Sequence, residues 1–239
     1  MREIREELNS DDIVVSLSLG KDSIATLYLC SLVFKNIYCM FGEQLPGRRV
    51  DVEYANYLRN FFPKIKCIRF FPHPVFQRYW NEQIFRKHTQ LDDPFFLNGG
   101  ERDILAYEAD YESLGNYMLW ENGITPGQIY QAVGVKMSDS LNRRIALKKT
   151  GYINHKRKLI YPVKDFSTQD VYQLLKYKNI KLHPDYKHYG STFEGMASKY
   201  WVNAYRKDPE TWNLIKMYFP MAETYVMKDF FKRRTNGKP

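Results

Sequence analysis

The chain concentrates most of its candidate chemistry in one short stretch, Ser18-Leu19-Gly20-Lys21-Asp22-Ser23. This stretch lies between two apolar runs, Ile13-Val14-Val15-Ser16-Leu17 before it and Ile24-Ala25-Thr26-Leu27 after it. A strand, a tight turn and a helix fit that order. The start of such a helix presents backbone N–H groups that have no intrahelical partner, together with the positive end of the dipole. It is a site for an anion, and phosphate is the usual one. Gly20 lets the backbone approach the ligand closely, and the hydroxyls of Ser18 and Ser23 add donors without charge. Ser16, at the end of the strand, joins them as a phosphate-binding candidate. Lys21 contributes a cation. Asp22 serves equally well as a helix cap or as a magnesium ligand beside a nucleotide phosphate. The stretch is not a Walker A loop, because Ser16 stands where that motif needs glycine and Asp22 follows Lys21 where it needs Ser or Thr.

Two further cations have a spacing that could serve the same anion. Ile129 through Val135 reads as a strand, and Gly134-Val135-Lys136 at its end is followed by Asp139-Ser140 and Arg143. Lys136 and Arg143 would bring positive charge to the carboxyl end of that strand, where charge on a departing phosphate group is stabilised. A solvated strand end is the alternative for both.

The elements that must position these residues follow from periodicity. A short charged helix over 1–9, a strand over 13–17 and a helix from the loop to about Phe34 are expected. A strand at Ile37–Phe41 comes next, closed by Gly42. Val50, Tyr54, Tyr57, Leu58 and Phe61 have helical spacing, and Lys66–Phe71 reads as a third strand. Alternation of this kind argues for a parallel sheet with right-handed crossovers, whose ligands lie beyond the carboxyl ends of the strands. Aromatic-rich helices near 75–88 and 101–121 suggest a helical insertion over 72–127. A hairpin at 151–160, a capped helix from Ser167 to about Lys178, a turn-rich loop at 183–191 and a helical remainder broken at Pro209 and Pro220 complete the reading. It divides into a nucleotide-binding domain over 1–195 and a basic helical extension over 196–239.

Composition bounds the function classes. A hydrophobic fraction of 44% and an aromatic fraction of 16% over 239 residues argue against disorder. No apolar run approaches the roughly 20 residues that span a membrane. The charged N-terminus lacks a signal-peptide core, so a soluble cytoplasmic protein without a membrane partner is expected. The net charge of +9 suits a phosphate-bearing partner, nucleotide or nucleic acid. Basic residues cluster at His155-Lys156-Arg157-Lys158 and from Lys228 to Arg234; a solvated face explains each as well as nucleic-acid contact does. Cys30, Cys39 and Cys67 have no metal-ligand spacing and read as buried apolar residues.

Ser18-Leu19-Gly20-Lys21-Asp22-Ser23 resembles the PP-loop of the ATP pyrophosphatase and phosphoadenylyl-sulfate (PAPS) reductase superfamily. Leu19 departs from the common form, which has a second glycine. Four later pieces resemble the PAPS reductase branch in order: Gly42 with Pro46, Gly134 through Arg143, Tyr161 through Tyr172, and His183-Pro184-Asp185-Tyr186. The resemblance implies an α/β, Rossmann-like adenine nucleotide α-hydrolase fold with helices on both faces. It implies catalytic roles for Lys21, Asp22, Lys136 and Arg143, and nucleotide contacts at Gly42, Gly134, Lys136 and Arg143. It also implies ATP or a PAPS-like nucleotide as ligand, with magnesium held by Asp22. The family's reductases attack with a C-terminal cysteine thiolate. Met196 stands at the matching position, and methionine cannot form a thiolate.

A self-contained thiol reductase and an iron–sulfur cluster are therefore not expected. The reaction expected instead is cleavage of ATP at the α-phosphate with release of pyrophosphate, activating an acceptor of the sulfur-transfer or nucleic-acid-modification type. Two alternatives stand beside it: a sulfonucleotide enzyme that borrows a partner protein's thiol, and a non-catalytic nucleotide- or nucleic-acid-binding adaptor.

Overall fold

In the computed structural model, residues 1–73, 111–125, 127–195 and 198–235 are described. The chain forms two compact units. The first comprises Met1–Phe41, Asp51–Phe70 and Tyr111–His183; the second comprises Gly42–Val50, Phe71–Asp110 and Pro184–Pro239.

The first unit is built on β1 (Asp12–Leu17), β2 (Asn36–Glu43), β3 (Ile65–Pro72), β4 (Gln131–Ala132), β5 (Ile153–Asn154) and β6 (Leu159–Ile160). The strand order is β3-β2-β1-β4-β6-β5. β1 pairs in parallel with β2 and β4, and β4 in parallel with β6, while β5 closes the edge antiparallel to β6. The α/β class and mostly parallel sheet expected from the sequence are thus present. β1 is central because Ile13, Val14, Val15 and Leu17 are all buried, as both faces of a covered parallel strand require. The order reverses between β1 and β4: β2 and β3 lie to one side of β1, β4 and β6 to the other. Chain segments leaving the carboxyl ends of β1 and β4 therefore flank the crevice at which open α/β sheets bind ligands.

Helices α1 (Arg2–Leu8), α2 (Lys21–Ser31), α3 (Arg49–Phe61), α4 (Tyr111–Glu121), α5 (Leu141–Thr150) and α6 (Thr168–Tyr177) accompany these strands. α2 buries Ile24, Ala25, Leu27 and Cys30, and α3 buries Tyr54, Ala55 and Leu58, the latter at the spacing of a one-sided stripe. Both stripes join one apolar core with β1, Val171 and Leu175. A capping box at Ser167 and Asp170 starts α6 where the sequence expects it.

Two local readings change. The strand expected over 129–135 is confined to Gln131–Ala132, because the chain beyond it bends toward the loop after β1. Asp185–Tyr189, expected as loop, is a short helix, α7, closed by Gly190 at φ 74°. Of the expected insertion, α4 is described; the stretch containing Phe76, Tyr79, Trp80, Phe85 and Tyr107 lies outside the described residues, as does Met196.

The second unit holds α7, α8 (Ser198–Lys207), α9 (Pro209–Tyr218), a 3₁₀ turn at Pro220–Ala222 and α10 (Glu223–Thr235). Its core packs Leu45, Phe193, Tyr200, Trp201, Trp212, Ile215 and Phe219. Pro209 opens α9 at its first turn, with the Asp208 carboxylate accepting from the Thr211 N–H at 3.1 Å. Arg48 is buried in this unit, with Asp185 accepting from both of its terminal nitrogens at 3.0 and 2.6 Å. The Phe193 N–H donates to the same carboxylate at 2.8 Å. No helix among the described residues is long and apolar enough to cross a membrane.

Candidate functional site

β1 ends at Leu17, and the chain turns through Ser18, Leu19 and Gly20 into α2. Leu19 makes the turn with φ 55°, the left-handed region that ordinarily favours glycine, while its side chain is 1% exposed in the core. The backbone strain of a non-glycine residue there, about 1–2 kcal/mol, is offset by roughly 2 kcal/mol from burying the leucine. That is how the loop keeps its shape without the second glycine.

Gly20 is the N-cap of α2 and is extended, and no side chain caps the helix start. The Ser23 hydroxyl donates to the Gly20 carbonyl at 2.9 Å and accepts from the Ser18 N–H at 3.1 Å. The two hydroxyls, Ser18 and Ser23, are 3.2 Å apart. Ser23 is therefore the brace of the turn. Ser16 lies in β1, and its hydroxyl accepts from the Gln131 side chain on β4.

Leaving β4, the chain passes Gly134 against the start of α2. A Cβ on Gly134 would stand 2.9 Å from the backbone carbonyl of Asp22 and from the Ser23 nitrogen. Only glycine permits that approach. It delivers Lys136, 1% exposed, to the loop.

The ammonium of Lys136 lies 2.6 Å from one carboxylate oxygen of Asp22 and 2.9 Å from Asp139. The other Asp22 oxygen meets Lys21 at 3.0 Å. Asp139 also accepts from the Lys136 backbone N–H at 3.0 Å and from Arg143 at 2.9 Å. Lys21, Asp22, Lys136, Asp139 and Arg143 thus form one chain of charges alternating in sign, positive at both ends. Burial pushes the Asp139 carboxyl up, but the hydrogen bonds from Lys136 and Arg143 outweigh it and hold the group below its ordinary range.

Arg143 begins where α5 does. The Ser140 hydroxyl caps that helix by accepting from the Arg143 N–H at 3.2 Å, and the Arg143 side chain is 54% exposed. The ring of Tyr172, on α6, has the Lys21 ammonium 5.8 Å from its centroid.

The structure thereby brings Ser18, Gly20, Lys21, Asp22, Ser23, Gly134, Lys136 and Arg143 together within the first unit. Gly42 lies in β2, one residue beyond Phe41, the register partner of Leu17, and belongs to the second unit. Asp22 was expected as a magnesium ligand; each of its oxygens faces an ammonium here, so a metal would have to displace one of them. Sequence reasoning gave Asp139 no role, although its spacing to Lys136 and Arg143, three and four residues, is that of helical ion pairs. It also missed Tyr172. His183 is buried against Asp51 at 3.2 Å with the Tyr54 ring edge-on at 4.8 Å, and His188 is exposed.

No protein-family model and no curated protein matches the chain. Among solved structures it is similar to U34-tRNA thiolase NcsA from Methanococcus maripaludis with its [4Fe-4S] cluster. The identity is 16% and the TM-score 0.47, over 94% of this chain and 75% of that one. It is also similar to the NH3-dependent NAD synthetase from Campylobacter jejuni in complex with the nitrate ion, at 17% identity and TM-score 0.41, over 97% and 90% of the two chains. Similarity at this level assigns neither activity nor cofactor to this protein.

The thiolase does correct one expectation. The absence of an iron–sulfur cluster was expected from the missing C-terminal cysteine and from three cysteines that form no pair, and it is withdrawn, because the thiolase carries a [4Fe-4S] cluster. Of the cysteines themselves, Cys30 and Cys39 lie in the apolar core, where desolvation pushes both thiols up, away from the thiolate form a ligand needs. Cys67 is partly exposed.

Proposed function

We propose that this protein is an adenine-nucleotide enzyme of the PP-loop type that cleaves ATP between its α- and β-phosphates. An acceptor nucleophile attacks the α-phosphorus, the bond to the bridging oxygen breaks, and pyrophosphate leaves with that oxygen's electron pair. The acceptor becomes adenylated, in a step of the sulfur-transfer or nucleic-acid-modification type.

One observation carries this reading. The ion-pair chain from Lys21 to Arg143 links the anion loop after β1 to the segment after β4, at the reversal of strand order. In the proposed complex the amides at the start of α2 and the hydroxyls of Ser18 and Ser23 hold the pyrophosphate end. Lys21, Lys136 and Arg143 turn from their carboxylate partners to the phosphate oxygens as negative charge develops on the leaving group. Asp22 and Asp139 keep the cations in place until then. Gly134, with no side chain, leaves the phosphate path open.

The test is pyrophosphate release from MgATP, with radiolabelled ATP and with PAPS bound in parallel. ATP binding and slow pyrophosphate release, both lost in Asp22→Ala and Lys136→Met, are the expected results. Preferential binding of PAPS would replace this reading with that of a sulfonucleotide enzyme using a partner's thiol. Tight ATP binding with no pyrophosphate formed in the presence of sulfide, tRNA or DNA would replace it with that of an adaptor.

A further inference from the structure

The charge of this chain is not spread over its surface. Ser140 to Lys164 contains eight Lys and Arg and no Asp or Glu, so the rest of the chain, with 28 basic and 27 acidic residues, is nearly neutral. The stretch is α5 followed, after Gly151 and Tyr152, by the β5–β6 hairpin at the edge of the sheet. A two-residue connection holds the end of the helix within about 11 Å of the edge strand.

Both pieces face solvent. Along α5 only Leu147 is buried, and Arg143, Arg144, Lys148 and Lys149 are exposed. At the hairpin tip His155, Lys156, Arg157 and Lys158 are exposed. Carboxylates neutralise little of this charge. Among the described residues, ion pairs in this stretch reach only Arg143, His155 and Lys164. Arg144, Lys148, Lys149, Lys156 and Arg157 meet no carboxylate among the described residues. A basic surface built only for solubility gains nothing from excluding every acidic residue over 25 positions, because mixed signs serve that purpose. Leu141 and Ile145, one turn apart on α5, are 67% and 61% exposed beside these cations.

We infer that α5 and the β5–β6 hairpin form a nucleic-acid-binding surface, with Lys148, Lys149, Lys156 and Arg157 contacting the phosphodiester backbone. Closely spaced unpaired cations on two adjoining elements match a polymer with one charge per nucleotide, and binding to it releases condensed counterions. Leu141 and Ile145 offer apolar contact to sugars or bases. Two leucine-sized side chains on a 10-residue helix are too small an apolar face to embed it in a bilayer. This inference rests on the charge distribution and is independent of ATP cleavage.

The experiment is fluorescence anisotropy with a labelled 20-nucleotide single-stranded RNA and a DNA duplex of equal length, titrated between 50 and 200 mM salt. A variant carrying Lys148→Glu, Lys149→Glu, Lys156→Glu and Arg157→Glu is measured alongside. The unmodified protein should bind at least one probe with steep salt dependence. The variant should bind at least tenfold more weakly, with the slope of log K against log salt shallower by about 3. Lys156→Gln with Arg157→Gln, confined to the hairpin tip, should lose about half of that slope and guards against misfolding of the larger variant. Retained ATP binding by both variants would separate this surface from the nucleotide site. Equal affinity of variant and unmodified protein would overturn the inference. So would capture on phosphatidylserine vesicles, dependent on the same four residues, without binding to either nucleic acid.

Discussion

Leu19 and Lys136 carry the least expected residue-scale features of the site. Leu19 holds a left-handed backbone conformation with a buried side chain, so truncating it separates two effects that usually coincide. Leu19→Ala keeps the strain and loses the burial, costing about 2–4 kcal/mol. Leu19→Gly loses the same burial but relaxes the backbone, so it should be the more stable of the two by about 1 kcal/mol. In most buried positions the order is the reverse, and urea denaturation of the two variants reads the sign directly. Lys136 is buried between two carboxylates. Lys136→Met leaves Asp22 and Asp139 without their shared cation, though each keeps a second one, and should destabilise the protein by about 1–3 kcal/mol. Adding Asp139→Asn to it should recover part of that loss, which a denaturation double-mutant cycle measures.

At the scale of elements, the site depends on how β4 and α5 leave the sheet. Gly134 lies so close to the start of α2 that Gly134→Ala must move either the strand exit or the loop. The expected cost is about 1–3 kcal/mol in stability, and displacement of Lys136 should weaken ATP binding at least tenfold in a calorimetric titration. The Ser140 cap sets where α5 begins and so where Arg143 stands. Ser140→Ala should cost about 1 kcal/mol, seen as a lower denaturation midpoint with an unchanged slope. Periodicity and capping signals made α3 and α6 legible in the sequence, because α3 presents a one-sided apolar stripe and α6 a local cap, while α2 was legible as the apolar run after the loop. β4 was over-extended for the opposite reason: its apolar residues continue to Val135, but after Val133, whose N–H still donates to Ile160 at 2.9 Å, the chain passes against the start of α2 at Gly134.

For the whole molecule, acid stability should follow Asp139. Its folded-state value lies below its ordinary 3.8, so its contribution to stability is present above about pH 4 and is lost as the pH falls through the folded value. Asp139→Asn should therefore lower the melting temperature at pH 7, and the two melting curves should converge toward pH 2. The second unit has its own buried pair. Arg48→Met leaves the Asp185 carboxylate without its bidentate partner and should destabilise that unit by about 3–5 kcal/mol. The expected sign is earlier loss of hydrogen-exchange protection in 198–235, with the β1 and α2 amides of the first unit retaining theirs longer.

By itself the sequence determined the α/β class and the turn between β1 and α2, and it singled out Lys21, Asp22, Lys136 and Arg143 as charges of interest. Those are local facts, set by residue type, spacing and the periodicity of apolar runs. Only the tertiary structure decided that four of those charges and Asp139 form a single alternating chain. It alone showed that Gly134 must be glycine because another backbone lies against it. The pairing of Arg48 with Asp185, 137 residues apart, was likewise invisible. Such contacts are long-range, and nothing in the local chemistry of either partner specifies the other; the sheet and helices that bring them together do.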